Sequence, residues 1–487
     1  MNSAYTKSYI YQLSVNKTNT MFYCIEARHG KATLRVYSVN QGICNHFKSF
    51  DSPRAPISTG WITEHKLFIQ TEQSIQTIVP STGVIRKLLS VRHKIVDILT
   101  EDDEGETFVY ASIIDPDFID FYKSDAIDKL ASYSKIQGEF INECNDNSYG
   151  CMITSYFDHL KEMRSAAKRG NSISISNDDI NSAIYLGTKK IVDIFGYIDR
   201  AIFIGEQVIY THSSFISPQS MYILSLRDTN IKQEEISCDY EFYHGSCDIN
   251  VPHYRLKFKG GQRGIVVLLH GGPCARYYNQ YDPLINEFMT MGIDIYMINY
   301  AGSDGYDRAY REKLYGNGGV HDYADVERSI INISDKHQGI PLFVIGDSYG
   351  GYLAIRASLK LGKHIDKVYA TNSFTDIRHQ FIFSSARYVI EKYFPPINSP
   401  LIETINPINI AGSVSSLCGK LRIINGLNDF YCPHQQVEQF AKITNCEIDF
   451  LEDYPHFKVG YSGQWDVDKL ILAEIEVMLN VNEKLDG

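Results

Sequence analysis

The chain has 487 residues, 44% hydrophobic and 22% charged, the balance of an ordinary soluble globular protein with apolar side chains for a sizeable core. That balance excludes a disordered, collagen-like or disulfide-scaffold chain. Lys and Arg number 47 against 58 Asp and Glu, a formal charge of −11, and no stretch gathers the basic run that neutralises phosphates, so nucleic acid is not an expected partner.

The first 25 residues scatter Asn, Ser, Thr and Lys among single apolar residues, and the continuous apolar segment of a secretory leader is missing. No later apolar run approaches the ~20 residues that span a bilayer, so no membrane partner is expected. Ten cysteines, with no CxxC or other paired zinc spacing, read as free and mostly buried thiols in a reducing compartment, most simply the cytoplasm.

Residues 1–236 read as all-β, with short strand-like runs broken by Gly, Asn, Asp and Ser. Leu34–Gly42, Ile75–Leu88, Phe118–Leu130 and Met221–Gln233 share one shape: a strand and a polar turn leading into a second strand or a polar tail. The first three begin 41 and 43 residues apart. Each is preceded by another strand-like run: Met21–Glu26, Lys66–Thr71, Thr107–Ile114 and Ala201–Tyr210. A repeat of this period is the signature of propeller blades, which bury their faces only against neighbouring blades. The expectation is a short or degenerate β-propeller, with a β-sandwich as the alternative because no WD or kelch signature is present. Residues 149–170 have helix-forming composition and read as an insertion between blades.

Residues 237–487 read as a doubly wound, mostly parallel α/β domain, because strand-like and helical segments alternate to the end. After a strand-rich entry at 240–259, the strands are Gly264–Leu269, Asp294–Asn299, Pro341–Ile345, Lys367–Ala370, Lys420–Ile424 and Glu447–Leu451. The helices are Asp282–Met291, Asp322–Lys336, Gly350–Leu361 and His434–Thr444. In such a sheet, ligand chemistry falls at the carboxyl ends of the strands.

Gly346-Asp347-Ser348-Tyr349-Gly350 follows one of these strands directly and opens a helix, the setting of a nucleophile elbow. A serine hydroxyl needs a base to take its proton and a carboxylate to orient that base. In this fold class the acid and then the base follow the serine, each on a loop after a strand. Asp429 meets the first requirement and His456 the second, with Asp453 as a rival acid. His364 and His379 precede the acid, and His434 starts a helix, so these read as surface or capping residues. An oxyanion hole needs backbone N–H donors: Tyr349, next to the nucleophile, is one candidate, and the loop His270-Gly271-Gly272-Pro273 offers the other.

These residues resemble the prolyl oligopeptidase family of serine peptidases, particularly its acylaminoacyl-peptidase and dipeptidyl-peptidase branches. The resemblance covers most of 240–487 and rests on His270-Gly271-Gly272-Pro273, on the run Asn299 to Tyr306, on Gly346 to Gly351 and on Asn428 to Pro433. It implies an α/β-hydrolase domain preceded by a β-propeller. It also implies Ser348, Asp429 and His456 as a triad, with Tyr349 and Gly272 as oxyanion donors. Departures are Tyr431, where the family often has a substrate-clamping Arg, Ala301 for another common Arg, and Phe457 for the Gly that usually follows the base. The region ahead of the hydrolase domain is also shorter than most.

The function expected is cleavage of short peptides or acylated amino compounds through an acyl-enzyme, with the propeller restricting access and no metal or organic cofactor required. His270, Gly271, Tyr306 and Tyr431 are candidate substrate contacts. Phe374 and Phe381 are further pocket aromatics whose simpler reading is core packing. Two alternatives stay open: an acyltransferase or peptide-tailoring enzyme using the same acyl-enzyme, and a non-catalytic propeller binding protein. Assembly into a homo-oligomer is left open.

Overall fold

The computed structural model describes residues 9–135 and 173–226 with short breaks between strands, and residues 239–485 except 247–248, 415, 453 and 457–462. The helix expected at 149–170 and the rival acid Asp453 lie outside the described residues. The chain divides into two compact units, one built by residues 1–233 and the other by residues 234–458 and 463–487.

In the first unit, β1 (Tyr9–Val15), β2 (Met21–Arg28), β3 (Lys31–Asn40) and β4 (Ile43–Ser52) meander as one antiparallel sheet. The pattern repeats in β5 (Ser58–Thr63), β6 (Lys66–Gln70), β7 (Ser74–Val79) and β8 (Val84–Ser90), and in β9 (Lys94–Asp103), β10 (Glu106–Asp115), β11 (Phe118–Ser124) and β12 (Ser134–Lys135). Two three-stranded sheets follow: β13 (Ile173–Asp178), β14 (Asn181–Leu186) and β15 (Lys189–Phe195), then β16 (Tyr197–Ile204), β17 (Gln207–Ser214) and β18 (Ser217–Ser225). The run Ala201–Tyr210, read above as one strand, is part of the β16–β17 hairpin. Ile204 pairs with Gln207 across this hairpin.

Successive side chains of β2 point to opposite faces, as the period of a strand requires. Phe22 and Cys24 pack with Leu13, Ile202, Ile204 and Ile209, whereas Tyr23 and Ile25 pack with Leu34, Leu67, Ile69 and Ile78. The first sheet is therefore covered by the β16–β18 sheet on one face and by the β5–β8 sheet on the other. This is why β2 has no polar face: Phe22, Tyr23, Cys24 and Ile25 are all buried.

The second unit is an eight-stranded sheet of β19 (Tyr240–Gly245), β20 (His253–Phe258), β21 (Ile265–Leu269), β22 (Asp294–Ile298), β23 (Leu342–Asp347), β24 (Lys367–Thr371), β25 (Leu421–Gly426) and β26 (Glu447–Leu451). Its order is β19-β20-β22-β21-β23-β24-β25-β26, antiparallel at β19 and β20 and parallel from β22 onward. Every residue of β21, β22 and β24 is buried, so these strands do not alternate between a buried and an exposed face, and β21 is a continuous apolar run.

The expected helices are present at Pro283–Thr290, His321–Lys336, Tyr349–Lys360 and Gln435–Thr444. Five shorter ones, Arg308–Glu312, Ile377–Phe383, Arg387–Tyr393, Pro400–Ile405 and Pro407–Ala411, and a final helix at Gly463–Leu485 were not anticipated. The strand order reverses between β21 and β23: the chain leaves β21 for β22 on one side, then returns to place β23 on the other. The crevice at the carboxyl ends of β21 and β23 is the switch point where such sheets bind ligands. It receives the loop His270–Pro273 from one strand and Ser348 from the other.

Candidate active site

Ser348 sits between β23 and the helix Tyr349–Lys360 with φ 53° and ψ −116°, a conformation a non-glycine residue adopts only when its surroundings hold it there. Its N–H donates to the Thr371 carbonyl at 2.8 Å, and Ser373 Oγ donates to its carbonyl at 3.1 Å. The elbow is tight enough that a Cβ on Gly346 would collide with the Gly350 carbonyl, and one on Gly350 with the carbonyls of Leu269 and His270. Glycine at both positions lets the helix press against the end of β21, leaving Ser348 half-exposed.

Three side chains from three loops converge here. Ser348 Oγ lies 3.0 Å from His456 Nε2, and His456 Nδ1 lies 2.8 Å from Asp429 Oδ2. A proton on Nδ1 satisfies the carboxylate and leaves the Nε2 lone pair facing the hydroxyl. Asp429 is buried, and its other oxygen accepts from the N–H groups of Tyr431 at 2.8 Å and Cys432 at 3.0 Å. The carboxylate is fixed on both sides.

Two buried asparagines that the sequence did not single out brace these loops. Asn372 Oδ1 accepts from Gly426 N–H at 2.9 Å, while its Nδ2 donates to the Pro455 carbonyl at 2.9 Å. It thereby ties the end of β25, which leads to Asp429, to the residue before His456. Asn425 accepts from Ser373 N–H at 3.1 Å and donates to its carbonyl at 2.9 Å. Asn372 directly follows β24 and Asn425 sits at the carboxyl end of β25, the one signal that could have found them.

The loop after β21 approaches Ser348 closely: a Cβ on Gly271 would stand 3.3 Å from Ser348 Cβ, and Gly272 has φ +125°. His270, expected as a substrate contact, is instead buried in the unit. Its Nε2 meets Ser303 Oγ at 2.8 Å, its ring stacks on Tyr300 at 4.3 Å, and burial lowers its pKa to about 4. The Tyr306 ring packs against Arg276 and Tyr310, and its hydroxyl accepts from Asn299 Nδ2 at 3.0 Å. Tyr431 stacks on the His456 ring, 5.0 Å between centroids and 20° between planes. Phe374 is a core residue stacked on Tyr352, and Phe381 lies under the Arg387 guanidinium.

Beneath the elbow, the Tyr349 hydroxyl donates to the buried carboxylate of Asp322 at 2.7 Å, and Gly319 N–H donates to the same oxygen at 3.1 Å. Burial pushes both Asp322 and Tyr349 up in pKa. His364 is paired with Ser334, His379 packs on Phe383, and His434 meets the Leu427 carbonyl, so these three are held by local contacts.

A mostly parallel sheet of this order, with a strained serine at a strand-to-helix elbow, defines the second unit as an α/β-hydrolase. Residues 280–446, about a third of the chain, match the prolyl oligopeptidase family. Among curated relatives, acylamino-acid-releasing enzyme 1 of Oryza sativa subsp. japonica is 31% identical over 93 residues, which is 19% of this chain and 12% of that protein. Among solved structures, the Pyrococcus horikoshii acylaminoacyl peptidase superposes with a TM-score of 0.64 at 14% identity, covering 97% of this chain and 96% of that one. An acylaminoacyl peptidase in complex with Z-Gly-Gly-Phe-chloromethyl ketone gives 0.62 at 14% identity, covering 96% and 95%.

Proposed function

We propose that the chain is a serine hydrolase that cleaves short peptides or acylated amino compounds through an acyl-enzyme on Ser348. The observation that carries this reading is the continuous line from Ser348 Oγ through the His456 ring to Asp429. His456 Nε2 takes the hydroxyl proton as Oγ attacks the substrate carbonyl, then delivers it to the leaving amine. Asp429 keeps the imidazole in its tautomer and stabilises the imidazolium. A water activated by the same nitrogen then hydrolyses the ester.

The N–H groups of Tyr349 and Gly272 are assigned as donors to the tetrahedral oxygen, each worth about 3–4 kcal/mol of barrier. The first favours that role because it opens a helix, where N–H groups lack intrahelical partners. Gly271 and Tyr431 border the reacting centre and are proposed to contact substrate. The relatives named above, an acylamino-acid-releasing enzyme and acylaminoacyl peptidases, support the substrate class.

The first unit is proposed to be a five-bladed propeller. Five sheets follow one another, and the first packs between the second and the last, as blades closing a ring would. No helix among the described residues is long and apolar enough to cross a membrane, and a cytoplasmic location is proposed. The experiment is labelling with a fluorophosphonate probe: wild type reacts and Ser348→Ala does not, and equal labelling of both overturns the reading.

A further inference from the structure

The acyl-enzyme chemistry leaves one nucleophilic group at the site without a task, the thiol of Cys432. It is buried at 2% exposure, three residues beyond the acid. Its sulfur, a carboxylate oxygen of Asp429 and a ring nitrogen of His456 all lie within 4.8 Å of one another. Gln380 Nε2 stands 3.8 Å from the sulfur, and the Ser348 hydroxyl is close enough to interact with it. A thiol, an imidazole and a carboxylate thus converge beside an alcohol.

That donor set suits borderline and soft divalent cations, which take sulfur at ~2.3 Å and imidazole nitrogen or carboxylate oxygen at ~2.0–2.2 Å. Donors of a tetrahedral shell stand about 3.3–3.8 Å apart, so Cys432 would close in, Asp429 and His456, now 2.8 Å apart, would open slightly, and a water would take the fourth position. The half-exposed side of Ser348 and His456 is the way in.

We propose that Asp429, Cys432 and His456 form an inhibitory site for a thiophilic divalent cation such as Zn²⁺ or Cd²⁺. On binding, the thiol releases its proton to solvent as the sulfur–metal bond forms. The Nδ1 proton of His456 passes to Nε2 through solvent, so that Nδ1 supplies a lone pair and the Asp429 carboxylate an oxygen, with no change of oxidation state. The ion replaces the hydrogen bond between His456 and Asp429, so the imidazole can no longer take the Ser348 proton. A chelator reverses the process. The inhibitory half of this proposal rests on Ser348 being the nucleophile; the binding half does not.

The test is a Cd²⁺ titration of the full chain as wild type, Cys432→Ala, Cys432→Val and, as an exposed-cysteine control, Cys418→Ala. Two readouts are followed: the ultraviolet thiolate-to-cadmium charge-transfer band, and the rate of fluorophosphonate labelling before and after EDTA. Wild type and Cys418→Ala are expected to lose labelling at least tenfold and to regain it with chelator. Each Cys432 variant, scaled to its own metal-free rate, should need at least tenfold more Cd²⁺ and lose one thiolate's share of the band. His456→Ala should weaken the absorbance titration at least tenfold, a check that does not depend on either Cys432 variant folding.

Equal sensitivity and an unchanged band in the Cys432 variants, or a wild type indifferent to Cd²⁺, overturns the site. If metal-free wild type fails to label, the nucleophile assignment has failed, and the absorbance titration alone decides whether the metal site exists.

Discussion

Asn372 has no chemistry of its own, yet the proposed base depends on it. Its two hydrogen bonds join the β25 end to the Pro455 carbonyl, and buried polar groups left unpaired cost roughly 1–3 kcal/mol each. Replacing it with Ala should let the His456 loop drift relative to Asp429, and a displacement of about 1 Å at a reacting group can cost ~100-fold in rate. Asn372→Ala is expected to lower kcat by 10- to 100-fold with little change in KM. Steady-state kinetics on a small acyl-amide check it, and a change confined to KM would contradict the role. Ser348, Asp429 and His456 were legible in the sequence because each follows its own strand in the order the fold class imposes. Asn372 and Asn425 were not, because a bracing amide leaves no motif, and its partners lie 54 and 83 residues away for one and 52 for the other. His270 misled for a related reason: its place in the glycine loop is visible in sequence, but the Tyr300 ring it stacks on is not.

At the scale of elements, the loop after β21 is held by that same histidine. Burial lowers the His270 pKa to about 4, whereas the unfolded chain binds a proton there near 6.5. Between those values the unfolded state carries more protons, so stability rises with pH through this window and is lost as pH falls. The difference amounts to about 3 kcal/mol at pH 4. Wild type should lose about that much more stability between pH 7.5 and pH 4 than His270→Gln, measured by urea unfolding. Parallel losses would show that His270 does not titrate in this way. The elements themselves were legible where periodicity or continuous burial dominates, as in β21 to β25 and the four expected helices. The short helices between 377 and 411 were missed because each has only five to seven residues, too few for a periodic face. The final helix did leave a signal: Val467, Ile471, Ile475 and Leu479 recur every fourth residue and are all buried.

For the whole molecule, the two units have separate hydrophobic cores, one around β21, β23 and β25 and the others between the sheets of the first unit. Units of this kind can unfold as distinct cooperative blocks. Calorimetry should resolve two transitions, and covalent fluorophosphonate modification should raise only the one belonging to the hydrolase unit. A single transition that moves as a whole would contradict this independence. The two-part organisation was legible because a run of strands gives way near residue 237 to alternating strands and helices. The division falls instead between 233 and 234, a difference within the blur of any boundary set by composition. The number of sheets in the first unit was not legible, since the faces that separate one sheet from the next are apolar contacts between distant strands.

The most direct measurement is mass-spectrometric mapping of the fluorophosphonate adduct on the wild-type chain, paired with hydrolysis of an acylated amino-acid amide by wild type, Ser348→Ala and His456→Ala. The account predicts a single adduct on Ser348 and turnover reduced by at least 10³-fold in both variants. An adduct elsewhere, or turnover that survives in either variant, would contradict it.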